Sequence, residues 1–268
     1  MGNCKSSPTL TISTEISPTK NSHELHTPAT VISSPYPSPR PRNDVAAFAI
    51  MRNGYHVMRG CTDGITQYLN NNDLDGAAEA YNRLMRWSSI YKRLEEGTSD
   101  GKSPRGMFSI LDEYFDGIIQ KNNLRQDCQD LVDAKNHLEE TTQTGDVDMI
   151  KESFLQFKAI HDKYLLEKEA ITMSRVVEMK MNHVNMKQLM VEEILSILVD
   201  DEDDFKFFVQ HANYILDDQF EYGVSRVLSF NHALWGCATP TQWKRWIKWI
   251  KQSLSEESFE KIVDSIRL

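Results

Sequence analysis

Residues 43–70 read NDVAAFAIMRNGYHVMRGCTDGITQYLN. Phe48, Met51, Tyr55, Met58, Ile65 and Leu69 recur at steps of three, four or seven, so they share one stripe of a helix. Asn43 or Asp44 can cap its start, and Asn70-Asn71-Asn72 ends it. This stretch decides the fold class because its rhythm repeats. Every later segment has a period of about 3.6 residues and none alternates with period two, which predicts an all-α protein.

Working toward the C-terminus, Asp73 is expected to cap a second helix with Leu74, Ala77, Tyr81, Leu84, Ser88, Tyr91 and Glu95 inward. Gly97–Gly106 reads as a loop. A short helix is expected over Met107–Gln120, burying Phe108, Leu111, Phe115 and Ile118 or Ile119. Leu124, Cys128, Leu131 and Leu138 fall on the next helix. Gly145-Asp146 restarts the chain, and a fourth long helix buries Ile150, Phe154, Phe157, His161 and Tyr164. Four long helices joined by short turns predict an up-down bundle over 45–178. Additional helices over 179–268 form a C-terminal extension packed on it. These are an apolar stretch Leu189–Val199, a helix behind the acidic run Asp200–Asp204, and one over about Tyr222–Gly236. One follows the cap Thr239-Pro240-Thr241-Gln242, and a last one starts at Ser255. The helix with Trp243, Trp246, Ile247, Trp249 and Ile250 also carries Lys244, Arg245, Lys248 and Lys251. It suits an anionic bilayer or packing with its lysines outside; periodicity favours packing.

Working toward the N-terminus, the pattern stops. Seven of the nine prolines lie in residues 1–44, beside eight Ser and six Thr. Such a stretch has too little apolar surface to offset the entropy of ordering, so a disordered tail is expected, with a reach of roughly 35 Å. The tail holds four basic and three acidic residues, which leaves 26 basic and 36 acidic residues in the body. That surface repels nucleic acid, which is excluded as a partner. No apolar run is long enough to span a bilayer, and there is no apolar leader. Cys4, Cys61, Cys128 and Cys237 lack CxxC spacing and read as reduced thiols.

The chain begins Met1-Gly2-Asn3-Cys4-Lys5-Ser6, the pattern for N-myristoylation at Gly2. One acyl chain binds membranes only marginally, and Cys4 supplies a palmitoylation target as the second signal. Both point to the cytoplasmic face of a membrane, with the plasma membrane the expected one. Ser7, Ser17, Thr27, Ser34 and Ser38 each precede proline and are candidate sites for a proline-directed kinase; a Pro-rich spacer explains them equally. No nucleophile–base arrangement, phosphate loop or HExxH occurs, so no enzymatic activity is expected.

The order of segments resembles the hemerythrin-like, or HHE cation-binding, family. Phe48-Ala-Ile-Met-Arg-Asn-Gly-Tyr-His56-Val-Met-Arg59 looks like that family's first ligand helix. Tyr91-Lys-Arg-Leu-Glu95 with Gly106-Met-Phe-Ser-Ile-Leu-Asp112 looks like its second. Leu124-Arg-Gln-Asp-Cys128 falls where a third ligand histidine stands, and His161 to Met173 looks like the fourth helix. Ala233-Leu-Trp to Trp249-Ile250 is similar to the extension of some members. The resemblance implies a bundle around a di-iron site of several His and two carboxylates. Here Tyr55 holds the inner position of the first helix and His56 lies one place off. Tyr91, Cys128 and Leu165 stand where ligands are due. His56, Glu95, His161 and one of Glu167 or Glu169 are the remaining metal candidates, too few for two irons. The expectation is therefore a lipid-anchored binding or scaffold module without a cofactor, acting on a protein partner whose identity the sequence leaves open. The alternative is an iron- or oxygen-binding, or metal-sensing, protein with an altered ligand set, in which tyrosines also ligate.

Overall fold

The computed structural model describes residues 46–97, 104–181, 185–199, 201–217, 219–221 and 224–267. The start of the first helix and the tail 1–44 lie outside them, as do residues 98–103 of the Gly97–Gly106 loop.

Helix α1 (Ala46–Asn70) ends at Asn71-Asn72, where Asn72 adopts a positive φ of 56°. Asp73 then caps α2 (Leu74–Glu96) by accepting the Gly76 N–H at 2.8 Å. From Met51 to Leu69 the expected stripe of α1 is buried, the side chain of Phe48 lying outside the described residues, and the stripe of α2 faces the core at Leu74, Ala77, Tyr81, Leu84, Tyr91 and Glu95; burial is wider than expected. Trp87, Ile90 and Leu94 are also fully buried on α2, and Ile50, Val57 and Cys61 on α1. The reason is non-local. Helix α1 packs against α2 and α6 and also against α9 and α10, so it has core on more than one face.

The expected helix Met107–Gln120 breaks in two: α3 (Gly106–Tyr114) and α4 (Ile118–Lys121). Gly117 is left-handed at φ 71°, and Asp112 Oδ1 accepts the Ile119 N–H at 2.7 Å, starting the new turn. The next helix starts later than expected, as α5 (Gln129–Thr142). Cys128 is its N-cap, and Leu124 is buried in the turn before it. Asp146 Oδ1 accepts the Met149 N–H at 3.1 Å and opens α6 (Val147–Met181). At 35 residues α6 is roughly 50 Å long. It packs on α5 and then on α1 and α3.

The apolar stretch after Asn185 forms α7 (Met186–Leu189), a π-helical segment (Met190–Leu195) and α8 (Ser196–Val199). Asp201 caps α9 (Glu202–Leu216), as the acidic run predicts, and Asp200 lies outside the described residues. The helix expected from Tyr222 begins instead as α10 (Arg226–Cys237). Before it, Phe220–Glu221 and Val224–Ser225 pair as two-residue antiparallel strands, with 222–223 outside the described residues. The Thr239 capping box forms as read and opens α11 (Pro240–Ser253). Ser255 accepts the Ser258 N–H at 3.2 Å at the start of α12 (Glu256–Arg267).

The architecture is all-helical apart from that short pair. The described residues form one compact unit. Its second apolar centre is aromatic: Trp87 stacks on Phe208 at 4.8 Å, and Phe205 meets Trp246 edge-on at 4.7 Å. Trp249 is buried beside Phe205 at 6.1 Å, so α11 packs its aromatic residues inward.

Gly54 has no slack. A Cβ at Gly54 would sit 1.9 Å from Tyr91 Cε2, whereas one at Gly64, further along α1, meets nothing within 4 Å. Gly54→Ala is expected to destabilise the protein by about 2–3 kcal/mol through overpacking. Gly64→Ala should stabilise it by about 0.5–1 kcal/mol through helix propensity. Urea midpoints at equal m values measure both; equal midpoints for the two variants would remove the close approach as a determinant.

Candidate functional site

Glu95 sits at the inner face of α2, one residue before its end, and is 2% exposed. Tyr55 of α1 donates its hydroxyl to Glu95 Oε1 at 2.7 Å. Lys168 of α6 donates to Glu95 Oε2, also at 2.7 Å. Thr172, one turn beyond Lys168, lies 3.3 Å from the Tyr55 hydroxyl and donates to the Lys168 carbonyl at 2.8 Å. The Lys168 ammonium also faces the rings of Phe108 at 5.0 Å and Tyr164 at 5.5 Å. Tyr91 meets Tyr55 edge-on at 5.2 Å and donates to the Met51 carbonyl at 2.5 Å. Gly54 makes room for its ring.

Burial pushes the Glu95 carboxyl above its ordinary range; the Lys168 ammonium and the Lys168 and Tyr55 hydrogen bonds offset part of that push. Burial, followed by the charge of Glu95, holds the Tyr55 and Tyr91 phenols well above theirs. Both tyrosines are therefore neutral hydrogen-bonding groups, not phenolates.

Glu169 follows Lys168 on α6 and points about 100° away from it. It receives Arg59 Nη2 at 2.8 Å and Arg52 Nε at 3.3 Å, both from α1. His56 Nε2 is 3.9 Å from the same carboxylate, and His56 Nδ1 lies 2.8 Å from Arg59 Nη2. Burial, then Arg226, Arg59 and Arg52, hold the imidazole well below its ordinary range, so it is neutral. With Nδ1 accepting from Arg59, its proton lies on Nε2.

The metal candidates His56, Glu95 and His161 are not brought together. His56 and Glu169 meet across an arginine cluster. Glu95 belongs to Lys168. His161 is buried against the Phe157 ring at 5.3 Å, with Nδ1 3.4 Å from Asp162 Oδ1. Glu167 is exposed. Among the described residues no group of three or more His, Cys, Asp or Glu is placed to hold a metal ion. The arrangement around Glu95 does not fit iron, because an ammonium and a phenol already take its two oxygens. Cys128 is exposed at the α5 N-cap and makes no contact with Glu95 or Lys168 that would let it serve as a ligand beside them. Gly2, Cys4, Ser7, Ser17, Thr27, Ser34 and Ser38 lie outside the described residues.

Lys168 and Thr172 are the site residues that the sequence reading missed. A signal was present. The stripe Ile150, Phe154, Phe157, His161 continues in steps of three and four through Leu165, Lys168, Thr172, Val176 and Met179, all buried. A lysine on such a stripe calls for a buried carboxylate partner. A second unforeseen contact joins Cys61 Sγ to His211 Nε2 at 3.2 Å. Burial pushes the thiol up to about 12 and the imidazole down to about 4. The pair is a neutral thiol–imidazole hydrogen bond, not an activated nucleophile.

Lys168→Met leaves Glu95 buried without its cation and is expected to cost about 3–5 kcal/mol. Adding Glu95→Leu should restore most of that loss in chemical denaturation. A double variant as unstable as the single one would show that the ion pair is not the interaction at stake. No family model, no curated protein and no solved structure matches this chain.

Proposed function

We propose that this protein is a non-enzymatic binding or scaffold module held at the cytoplasmic face of a membrane by acyl chains on Gly2 and Cys4. In this reading α1, α2, α5 and α6 form an up-down, hemerythrin-like bundle, and an internal ion pair stands where that family holds metal. The observation that carries it is the saturated Glu95 carboxylate: its two oxygens take Tyr55 and Lys168, and the Lys168 ammonium is itself enclosed by Phe108 and Tyr164. A cation already resides in the bundle, covalently part of the chain. The three-helix junction supplies rigidity, and binding falls to the outer surface.

The membrane half of the reading is supported by the Gly2–Ser6 pattern with its adjacent thiol. Among the described residues no helix is long and apolar enough to cross a membrane.

Two measurements test the two halves. The purified chain is expected to carry iron far below one equivalent. Its content should not change in the Glu95→Ala, His161→Ala double variant; one equivalent of iron that this variant loses would refute the metal-free bundle. In cells, wild-type chain should incorporate labelled myristate and fractionate with membranes, and Gly2→Ala should lose both. Unlabelled wild type, or membrane association unchanged in Gly2→Ala, would refute the anchor.

A further inference from the structure

Helix α11 carries Lys244, Arg245, Lys248 and Lys251 and no acidic residue, in a chain of net charge −9. Its inner face is fixed: Trp246 and Ile250 are buried, and Trp249 lies against Phe205. The capping box at Thr239 fixes its start. The lysines are thereby held outward. Lys244, Lys248 and Lys251 are all exposed, at steps of four and three, on one stripe about 10 Å long. Arg245 lies at its edge, 3.6 Å from Glu202 and over the Trp249 ring. Lys251 passes over Phe259 at 5.5 Å. Among the described residues no carboxylate lies within ion-pair distance of the three lysine ammonium groups. Glu257 of the neighbouring α12 is taken by Lys261 at 2.7 Å.

We infer that the exposed lysine stripe of α11 is a second membrane contact, an electrostatic docking face for the anionic headgroups of a bilayer. The inference rests on the membrane-anchor reading and adds an orientation to it. Charge complementarity carries it. At physiological salt a charge acts over about 8 Å. A bilayer touching α11 therefore meets the lysines, and the acidic groups at the edges of the stripe, Glu202 and Glu257, are paired with Arg245 and Lys261. The stripe lies on the outer face of a helix whose Trp246 and Trp249 are buried and whose Trp243 is partly buried against the core, so it presents lysines rather than a stacking ring. Binding is then superficial and sensitive to salt, without insertion of tryptophan. Each lysine is worth roughly a fivefold gain in partition, too little to hold the protein alone and enough to set which face an acyl-anchored body turns to the lipid.

The test uses the full chain made without acylation, so the anchor plays no part in the result. Vesicles of phosphatidylcholine with and without phosphatidylserine are sedimented with it. Wild type is expected to bind only the anionic vesicles and to release at high salt. Lys244→Gln, Lys248→Gln and Lys251→Gln together should lower partition roughly 100-fold. A control with the same net charge, combining Lys92→Gln, Lys121→Gln and Lys163→Gln on other helices, should bind like wild type. Equal loss in the control would make net charge the cause and overturn the stripe. So would absence of wild-type binding to anionic vesicles, or preferential binding to polyglutamate or an oligonucleotide. Failure here leaves the myristate labelling result untouched, and the reverse also holds.

Discussion

A carboxylate closed inside a helical core is costly unless its charge is answered there, and so is an ammonium. Glu95 and Lys168 meet that requirement for each other, with Tyr55 filling the remaining oxygen. The three groups come from α2, α6 and α1. A slip of one residue in any of these helices turns its group by about 100° and strands both charges. The apolar neighbours Trp87, Ile90 and Leu94 tolerate such a slip far better, because hydrophobic contact has no direction. Well-packed apolar residues often do as well as a buried ion pair in stability. What the pair contributes is the choice of one register among several that would bury similar area.

Glu169 extends the same logic to a second packed face of α6. Consecutive residues of opposite charge, Lys168 and Glu169, face different directions and each finds its counter-charge on another helix. Lys168 finds α2; Glu169 finds Arg52 and Arg59 of α1. The neutral His56 beside Arg59 adds a hydrogen bond without adding positive charge. Tyr91 ties the two sets together through its bond to the Met51 carbonyl, next to Arg52.

What could be read in the sequence was whatever local chemistry decides. The Asp73 cap and the Thr239 capping box involve groups three residues apart, and both form as read. The inner stripes of α1 and α2 were legible because periodicity is local too. The break at Gly117 was not. The Met107–Gln120 stretch suits a helix, and the Asp112 carboxylate that starts α4 acts across seven residues. The second buried face of α2, with Trp87 against Phe208, depends on α9, more than a hundred residues away. The burial of Trp249 likewise depends on Phe205 of α9. Lys168 was hidden by its type: a lysine on a long helix reads as surface until its place on the stripe is counted. The metal candidates His56, Glu95 and His161 were each near the core, yet no pattern in one helix reveals which partner a neighbouring helix turns toward it.

Helix α1 has partners on opposed sides. Toward α2 and α6 it presents Tyr55 and Arg52; toward α9 it presents Cys61 to His211 and Gly60 to Ile215. The segment from α1 to α6 is therefore not a module that can be cut out and moved. A chain shortened after α6 would leave the Cys61 side of α1 bare, with the apolar surface that α9 and α10 cover turned to water. Insertions and fusions are better tolerated at the exposed turn around Gly145, where an added Cβ would meet nothing within 4 Å, than at the junction between α6 and the helices that follow. In evolutionary terms the C-terminal helices and the back of α1 must change together, and neither can be gained or lost alone.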